Sequence, residues 1–344
     1  MGAPGFLAIG SGPAGLSAAE TFRSRHAHIP VRILTTDPAL PYAKPPLSKD
    51  YLCGRDAKLE LHSAGWFVRN NVELLRGITV DHIDLANHTV VTAGGSCNPY
   101  WHLVLCCGAT AVPLRVPGGE SALTLRSFAD AVALRMAARY ADSAVVVGER
   151  VAKILSDNGV RFVGQTSVMS IDGSAVHLDT GATMNVDLIV SAIGVRPDPH
   201  LAVGAGLVTD DDRIVVDEHM HTSALNVYAA GDVALAHNVT AGRRVRAEHR
   251  RDAALQGRIA GLSAAGYESS WDSVPGFACT IGESILRYRG WGVGYQHSRL
   301  DEHRHGFTAW YEADGELVGV LTLNADEDHR AADRLLRAHT PMAS

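Results

Sequence analysis

A short apolar run, Phe6 to Ile9, leads into Gly10-Ser-Gly-Pro-Ala-Gly15, and Leu16 to Arg25 follows with helical patterning. Strand, Gly10-x-Gly12-x-x-Gly15 and helix, in that order, constrain this chain more than any other feature. The first glycine allows a tight turn, the second lets backbone approach a pyrophosphate, and the third lets a helix pack closely on the strand. The helix N-terminus then directs partial positive charge at the phosphates. An acid about 20 residues on is expected to hold ribose hydroxyls. Asp37 lies 22 residues after Gly15, at the end of a second predicted strand, Val31 to Leu34. The competing reading of Asp37 is a turn aspartate before Pro38. The pattern predicts an α/β domain that binds a dinucleotide.

Further along, residues 35 to 49 carry four prolines, which rules out a regular helix there. Residues 72 to 104 read as strand-rich, ending in Leu103 to Cys106. Ala144 to Val147 reads as a buried strand, as do Asp187 to Ala192 and Asn226 to Ala229. Ala247 to Ala265 reads as a helix with small residues. Phe307 to Tyr311 and Leu317 to Leu323 alternate around Asp314-Gly315, a hairpin signal. Asp326 to His339 reads as a closing helix.

Length and composition narrow the function classes. At 344 residues, roughly one domain per 150 residues predicts two or three domains. The formal charge is −6, which argues against a nucleic-acid surface built on bulk positive charge. The five cysteines fit a reducing cytoplasm better than a disulfide scaffold. No apolar run reaches the roughly 18 residues of a membrane span, and Met1 to Phe6 lacks a signal-peptide pattern. A cytoplasmic location without membrane or nucleic-acid partners is therefore expected. No Gly-x-Ser-x-Gly elbow suggests a hydrolase. His297, His303 and His305 lack the Cys or carboxylate spacing of a metal site, and Asp210-Asp-Asp212 reads as a solvated turn. No metal site is expected.

Several further segments together resemble a known family. They are Pro41-Tyr-Ala-Lys-Pro-Pro-Leu-Ser-Lys49, Asp187-Leu-Ile-Val-Ser-Ala-Ile-Gly-Val-Arg-Pro197, Thr222 to Asp232 with its Tyr-Ala-Ala-Gly-Asp ending, and Arg246-Ala-Glu-His249. The chain resembles NADH-dependent ferredoxin reductases, relatives of rubredoxin and dioxygenase reductases and of apoptosis-inducing factor, within the FAD-dependent pyridine nucleotide-disulfide oxidoreductases. The resemblance implies a discontinuous Rossmann-like FAD-binding domain over residues 1–115 and 222–268. It also implies a reduced second α/β domain over 116–221 and a small α+β C-terminal domain over 269–344. It implies that Gly10, Gly12, Gly15 and Asp37 hold the adenosine and pyrophosphate, with Lys44 facing phosphate and Val80 presenting backbone to adenine. Arg126 would lie near the flavin, Asp232 would accept hydrogen bonds from the ribityl chain, and His249 and Arg250 would touch the flavin from a helix start. Ala14, Gly108 and Gly231 are further cofactor-binding positions. Lys49 would lie near the ring as the candidate catalytic residue, where an ammonium stabilises negative charge developing on reduced flavin.

The chain also departs from that family. A second Gly-rich loop, a helix and a further strand should follow Ala144 to Val147. Here only ten residues separate Gly148 from Gly159, and Val160-Arg-Phe-Val163 follows at once. A βαβ unit needs roughly 30 residues, so the second mononucleotide fold is incomplete, with Val151 to Leu155 as one short helix across the gap. The family's glutamate partner for Lys49 belongs to the missing helix. Thr36 replaces a ribose-binding glutamate, Cys106-Cys107-Gly108 replaces Ala-Thr-Gly, and Ala278 stands where an aromatic near the flavin is common. Cys106-Cys107 is expected to be a buried pair rather than a redox pair.

The expected protein is an FAD-dependent oxidoreductase of ferredoxin-reductase type, with NAD(P)H use left open. Its partner is a small iron–sulfur protein or a small-molecule substrate. Three alternatives stay open: a flavin-dependent oxidase or dehydrogenase of a small organic substrate, a non-catalytic FAD-binding protein, and a decayed site that binds no FAD. A homodimer through the C-terminal domain, with Trp291 at its surface, is a further expectation.

Overall fold

The computed structural model describes residues 3–148, 161–292 and 294–339. The chain divides into two compact units, Met1–Pro38 with Ala64–Gly108 and Pro197–Ser344, and Ala39–Ser63 with Ala109–Arg196.

The first unit is built on a five-stranded parallel sheet in the order Val227–Ala229, His102–Leu105, Phe6–Ile9, Val31–Thr35, Val72–Arg76. Every residue of Phe6–Ile9 and Val31–Thr35 is buried. Parallel strands are covered on both faces, so they read as continuous apolar runs rather than alternating ones. Phe6–Ile9 is central, and the strand order reverses across it. Its C-terminal end is the switch point where open α/β sheets bind ligands, and the glycine loop sits there.

The first helix is Pro13–Arg25, with Pro13 in the opening turn. It starts before the expected Leu16 because the fixed φ of proline suits a helix start and its missing N–H costs nothing there. A second helix, Arg250–Ala264, crosses it closely. A Cβ on Gly257 would lie 2.1 Å from the Ala14 carbonyl oxygen, and one on Gly261 would lie 2.5 Å from that of Ala18. The expected helix from Ala247 is shortened because His249 has extended backbone (φ −118°, ψ 145°) and caps the helix, its ring nitrogen accepting from the Arg251 N–H.

The strand-rich reading of 72 to 104 resolves into Val72–Arg76, an antiparallel sheet of Val80–Asp84, Thr89–Thr92 and Cys97–Pro99, and the central strand His102–Leu105. A four-stranded sheet, Thr209–Asp210, Arg213–Val216, Ala234–Asn238 and Arg243–Arg246, flanks the Gly231 turn in sequence. The C-terminal part is a five-stranded antiparallel sheet from Gly276–Ile281 to Glu316–Leu323, followed by the helix Asp326–Arg337. The hairpin read from Asp314-Gly315 is present. Both residues have positive φ, 52° and 81°, as a two-residue type I′ turn requires. Trp291 is only 4% exposed. It is a core residue, and its expected place on a dimer surface is corrected.

In the second unit, the proline-rich segment forms no regular helix; it makes a 3₁₀ turn, Pro45–Ser48, and a β-bridge from Tyr42 to Glu60. Helix Phe128–Ala137 opens on a capping box between Ser127 and Asp130. Ala144–Gly148 pairs in parallel with Leu188–Ala192, and Val168–Asp172, Ala175–Leu178 and Thr183–Asn185 form an antiparallel sheet. Ile171, Val176, Val186 and Ile189 make one buried cluster, and Leu134, Leu188 and Val190 another. Ala144–Gly148 was expected to be buried, but Val146 is 63% exposed. Among the described residues no other strand joins this parallel pair. Val151 to Leu155 lies outside the described residues, and Arg161 to Val163 forms no strand. No described helix is long and apolar enough to cross a membrane.

Candidate functional site

The glycine loop closes between two strand ends. The Gly10 N–H donates to the Leu34 oxygen at 2.8 Å, and the Cys106 N–H donates to the Ile9 oxygen at 2.8 Å. Gly10 has φ +107°, and a Cβ on Gly15 would lie 1.9 Å from the Gly10 oxygen. Both positions therefore exclude side chains. Gly12, which caps the helix, differs: a Cβ there would meet nothing within 4 Å. Open space beside backbone at a helix N-terminus is what a pyrophosphate needs. The residues present thus fit the nucleotide half of FAD.

Asp37 stands just past Val31–Thr35. Its N–H donates to Thr35 Oγ1 at 3.3 Å, and that oxygen also accepts from the Ser11 hydroxyl at 3.1 Å. The loop and the acidic residue are joined through one hydroxyl. In the sequence, the hydroxyl of Ser11 inside the glycine motif is the one signal of this link. The Ile78 N–H donates to the Thr35 oxygen at 2.9 Å, which brings the start of Val80–Asp84 to the same strand end. Val80 itself is buried.

The Gly231-Asp232 turn lies against the first helix. Gly231 has φ +83°, and a Cβ on it would lie 3.2 Å from that of Ala14. Its N–H donates to Gln256 Oε1 at 2.9 Å. Asp232 is half-buried. Just before the second helix, Glu248 pairs with the buried Arg213, which also bonds Asp211 at 2.8 Å. This fixes the approach to His249 and Arg250.

Cys106 and Cys107 are free thiols; Cys106 is buried as expected, whereas Cys107 is only half-buried. Burial pushes both up, Cys107 to about 12, with the Asp198 carboxylate adding to the shift. A thiol so raised is a poor nucleophile at neutral pH. Gly108 follows with φ +72° and accepts at its oxygen from the Asp198 N–H at 3.2 Å.

The first unit therefore carries Gly10, Gly12, Ala14, Gly15, Asp37, Val80, Gly108, Gly231, Asp232, His249 and Arg250, while Lys44, Lys49 and Arg126 belong to the second. Within the second unit, Arg126 Nε donates to the Ala109 oxygen at 2.9 Å, and Tyr42 OH accepts the Phe128 N–H at 2.8 Å. Lys44 precedes the Pro45–Ser48 turn, and Lys49 is half-buried at its end.

The sequence profile described as pyridine nucleotide-disulphide oxidoreductase matches residues 6–149 and 146–257. The ferredoxin–NAD(+) reductase component of the anthranilate 1,2-dioxygenase system of Burkholderia cepacia is 29% identical over 388 residues, spanning 98% of this chain and 95% of its own. Rubredoxin–NAD(+) reductase of Pseudomonas putida is 29% identical over 316 residues, spanning 78% of this chain and 82% of its own. Among solved structures, a ferredoxin reductase of Rhodopseudomonas palustris superposes with a TM-score of 0.90 at 26% identity, covering 98% of this chain and 96% of that one.

Proposed function

The chain belongs to the pyridine nucleotide-disulphide oxidoreductase family and is an FAD-dependent oxidoreductase resembling ferredoxin reductases; from that premise we propose that its nicotinamide half-site is degenerate. The observation that carries this reading is the spare second unit. Its parallel sheet has two strands among the described residues. The Burkholderia alignment needs 388 positions to span 98% of a 344-residue chain, so about fifty positions of that relative have no counterpart here. The two profile matches meet at residues 146–149, directly after the Ala144–Gly148 strand. About fifty positions is more than the roughly 30 residues of a βαβ unit.

FAD, when bound, supplies a ring that takes up two electrons together and releases them singly. In this reading Gly10, Gly12, Ala14 and Gly15 hold the pyrophosphate, Asp37 accepts from ribose hydroxyls and Val80 offers backbone to adenine. Asp232 accepts from ribityl hydroxyls, with Gly108, Gly231, His249 and Arg250 beside the cofactor. Lys44, Lys49 and Arg126 rest on the resemblance alone. Lys49 stands as the residue that stabilises negative charge on the reduced ring. The relatives named for ferredoxin and rubredoxin support a small iron–sulfur protein as electron acceptor.

Anaerobic mixing of the flavin-loaded protein with NADH or NADPH tests this. The expected outcome is reduction that rises linearly with nucleotide and does not saturate in the millimolar range, while dithionite reduces the flavin fully. Rapid, saturable bleaching by either nucleotide contradicts the degenerate half-site.

A further inference from the structure

Gln256 lies wholly buried on the helix Arg250–Ala264, and its Oε1 accepts the N–H of Gly231 at 2.9 Å. Gly231 is pressed between the two crossing helices: a Cβ there would lie 3.2 Å from that of Ala14 and 3.5 Å from that of Ala253. The neighbouring backbone is tied down separately, Ala230 N–H to the Leu105 oxygen at 3.0 Å and Ala234 N–H to the Gly231 oxygen at 2.8 Å. The Gln256 amide is the partner that remains for the Gly231 N–H, a buried donor that is costly to leave unpaired.

We propose that Gln256 is the positioning residue that sets the Gly231–Asp232 turn for FAD, acting through the Gly231 N–H without touching the cofactor. This rests on the reading of Asp232 as a ribityl acceptor. The acceptor half of the amide does the holding, since Nε2 is buried and has no partner among the described residues. One turn earlier on the same helix, the buried Asp252 accepts the Gly276 N–H at 3.3 Å. The helix thus grips backbone on two sides, at the turn before Asp232 and at the first strand of the C-terminal sheet.

The test compares Gln256→Met, which keeps the shape and removes the acceptor, with Gln256→Glu, which keeps the acceptor. FAD affinity of each apoprotein is measured by quenching of flavin fluorescence. Gln256→Met is expected to bind FAD about tenfold or more weakly, with a bound-flavin spectrum shifted toward that of free FAD. Gln256→Glu is expected within about threefold of the parent. A Met variant with the parent's affinity, or a Glu variant that falls as far as the Met variant, overturns the proposal. If the Met variant does not fold, amide exchange in the parent apoprotein decides: a protected Gly231 N–H is expected, and exchange at the rate of an open amide overturns it. A parent that binds no FAD would defeat the Asp232 reading instead, a failure visible before any variant is made.

Discussion

The carbonyl oxygen of Cys106 lies 2.2 Å from where a Cβ on Gly10 would stand. That approach seats the turn of the glycine loop on the end of the neighbouring strand. Gly12, two residues on, has open space instead. The two glycines therefore do different work, and substitution separates them. Gly10→Ala combines a clash with φ +107° and is expected to destabilise the apoprotein by about 1–3 kcal/mol. Gly12→Ala keeps φ −68°, which alanine adopts freely, so apoprotein stability should stay within about 1 kcal/mol. FAD affinity should nevertheless fall at least about tenfold. Denaturant unfolding and flavin titration check the pair.

The helix crossing makes a second prediction. A Cβ on Gly257 already meets the Ala14 oxygen at 2.1 Å, so Gly257→Val must push the first helix away. The expected cost is about 1–3 kcal/mol or more, with weaker FAD binding because Ala14 lies between the loop and Gly231. Unchanged unfolding and affinity would contradict the close crossing.

Thiol chemistry distinguishes a buried cysteine pair from a redox pair. Cys53 and Cys97 are exposed and should react first with a thiol reagent at pH 8 in native protein. Cys106 is buried and should stay unlabelled until unfolding, and the half-buried Cys107 should label more slowly than Cys53 and Cys97, because burial holds both thiols protonated, Cys107 up to about 12. Peptide mapping after labelling reads this. Early labelling of either residue, or a disulfide between them in air-exposed protein, would support the redox alternative.

His339 couples stability to pH. Its Nδ1 faces Glu316 at 2.8 Å and its Nε2 faces the Thr240 oxygen at 2.9 Å. The Glu316 contact first, then the Thr240 contact, raises it above the usual 6.5. A raised folded-state value means the stabilisation is full below about pH 6.5 and is lost as pH rises through the folded value. The stability difference between the parent and His339→Gln should therefore shrink from pH 6 to pH 8. Denaturant midpoints at several pH values check this, and a difference that grows with pH contradicts it.

The parts legible in the sequence were those whose constraints are local. Gly10, Gly15 and the Asp314-Gly315 turn declare themselves because backbone conformation or close approach admits few other residues. The central strands declare themselves because burial on both faces leaves an apolar run. The burial of Trp291 was not legible, because it depends on strands and turns far along the chain. Ala144–Gly148 read as buried because valines look alike whether or not a neighbouring element covers them. Gln256 was hidden for the same reason as Trp291: its partner, Gly231, is 25 residues away, and a glutamine among alanines on a helix carries no sign of what its amide holds.

The visible absorbance spectrum of the purified protein, before and after incubation with FAD, shows whether the chain is a flavoprotein. Flavin bands near saturation at one FAD per chain are expected, with the released flavin identified as FAD. A folded protein that shows no flavin band even after incubation with excess FAD would contradict FAD binding by this chain.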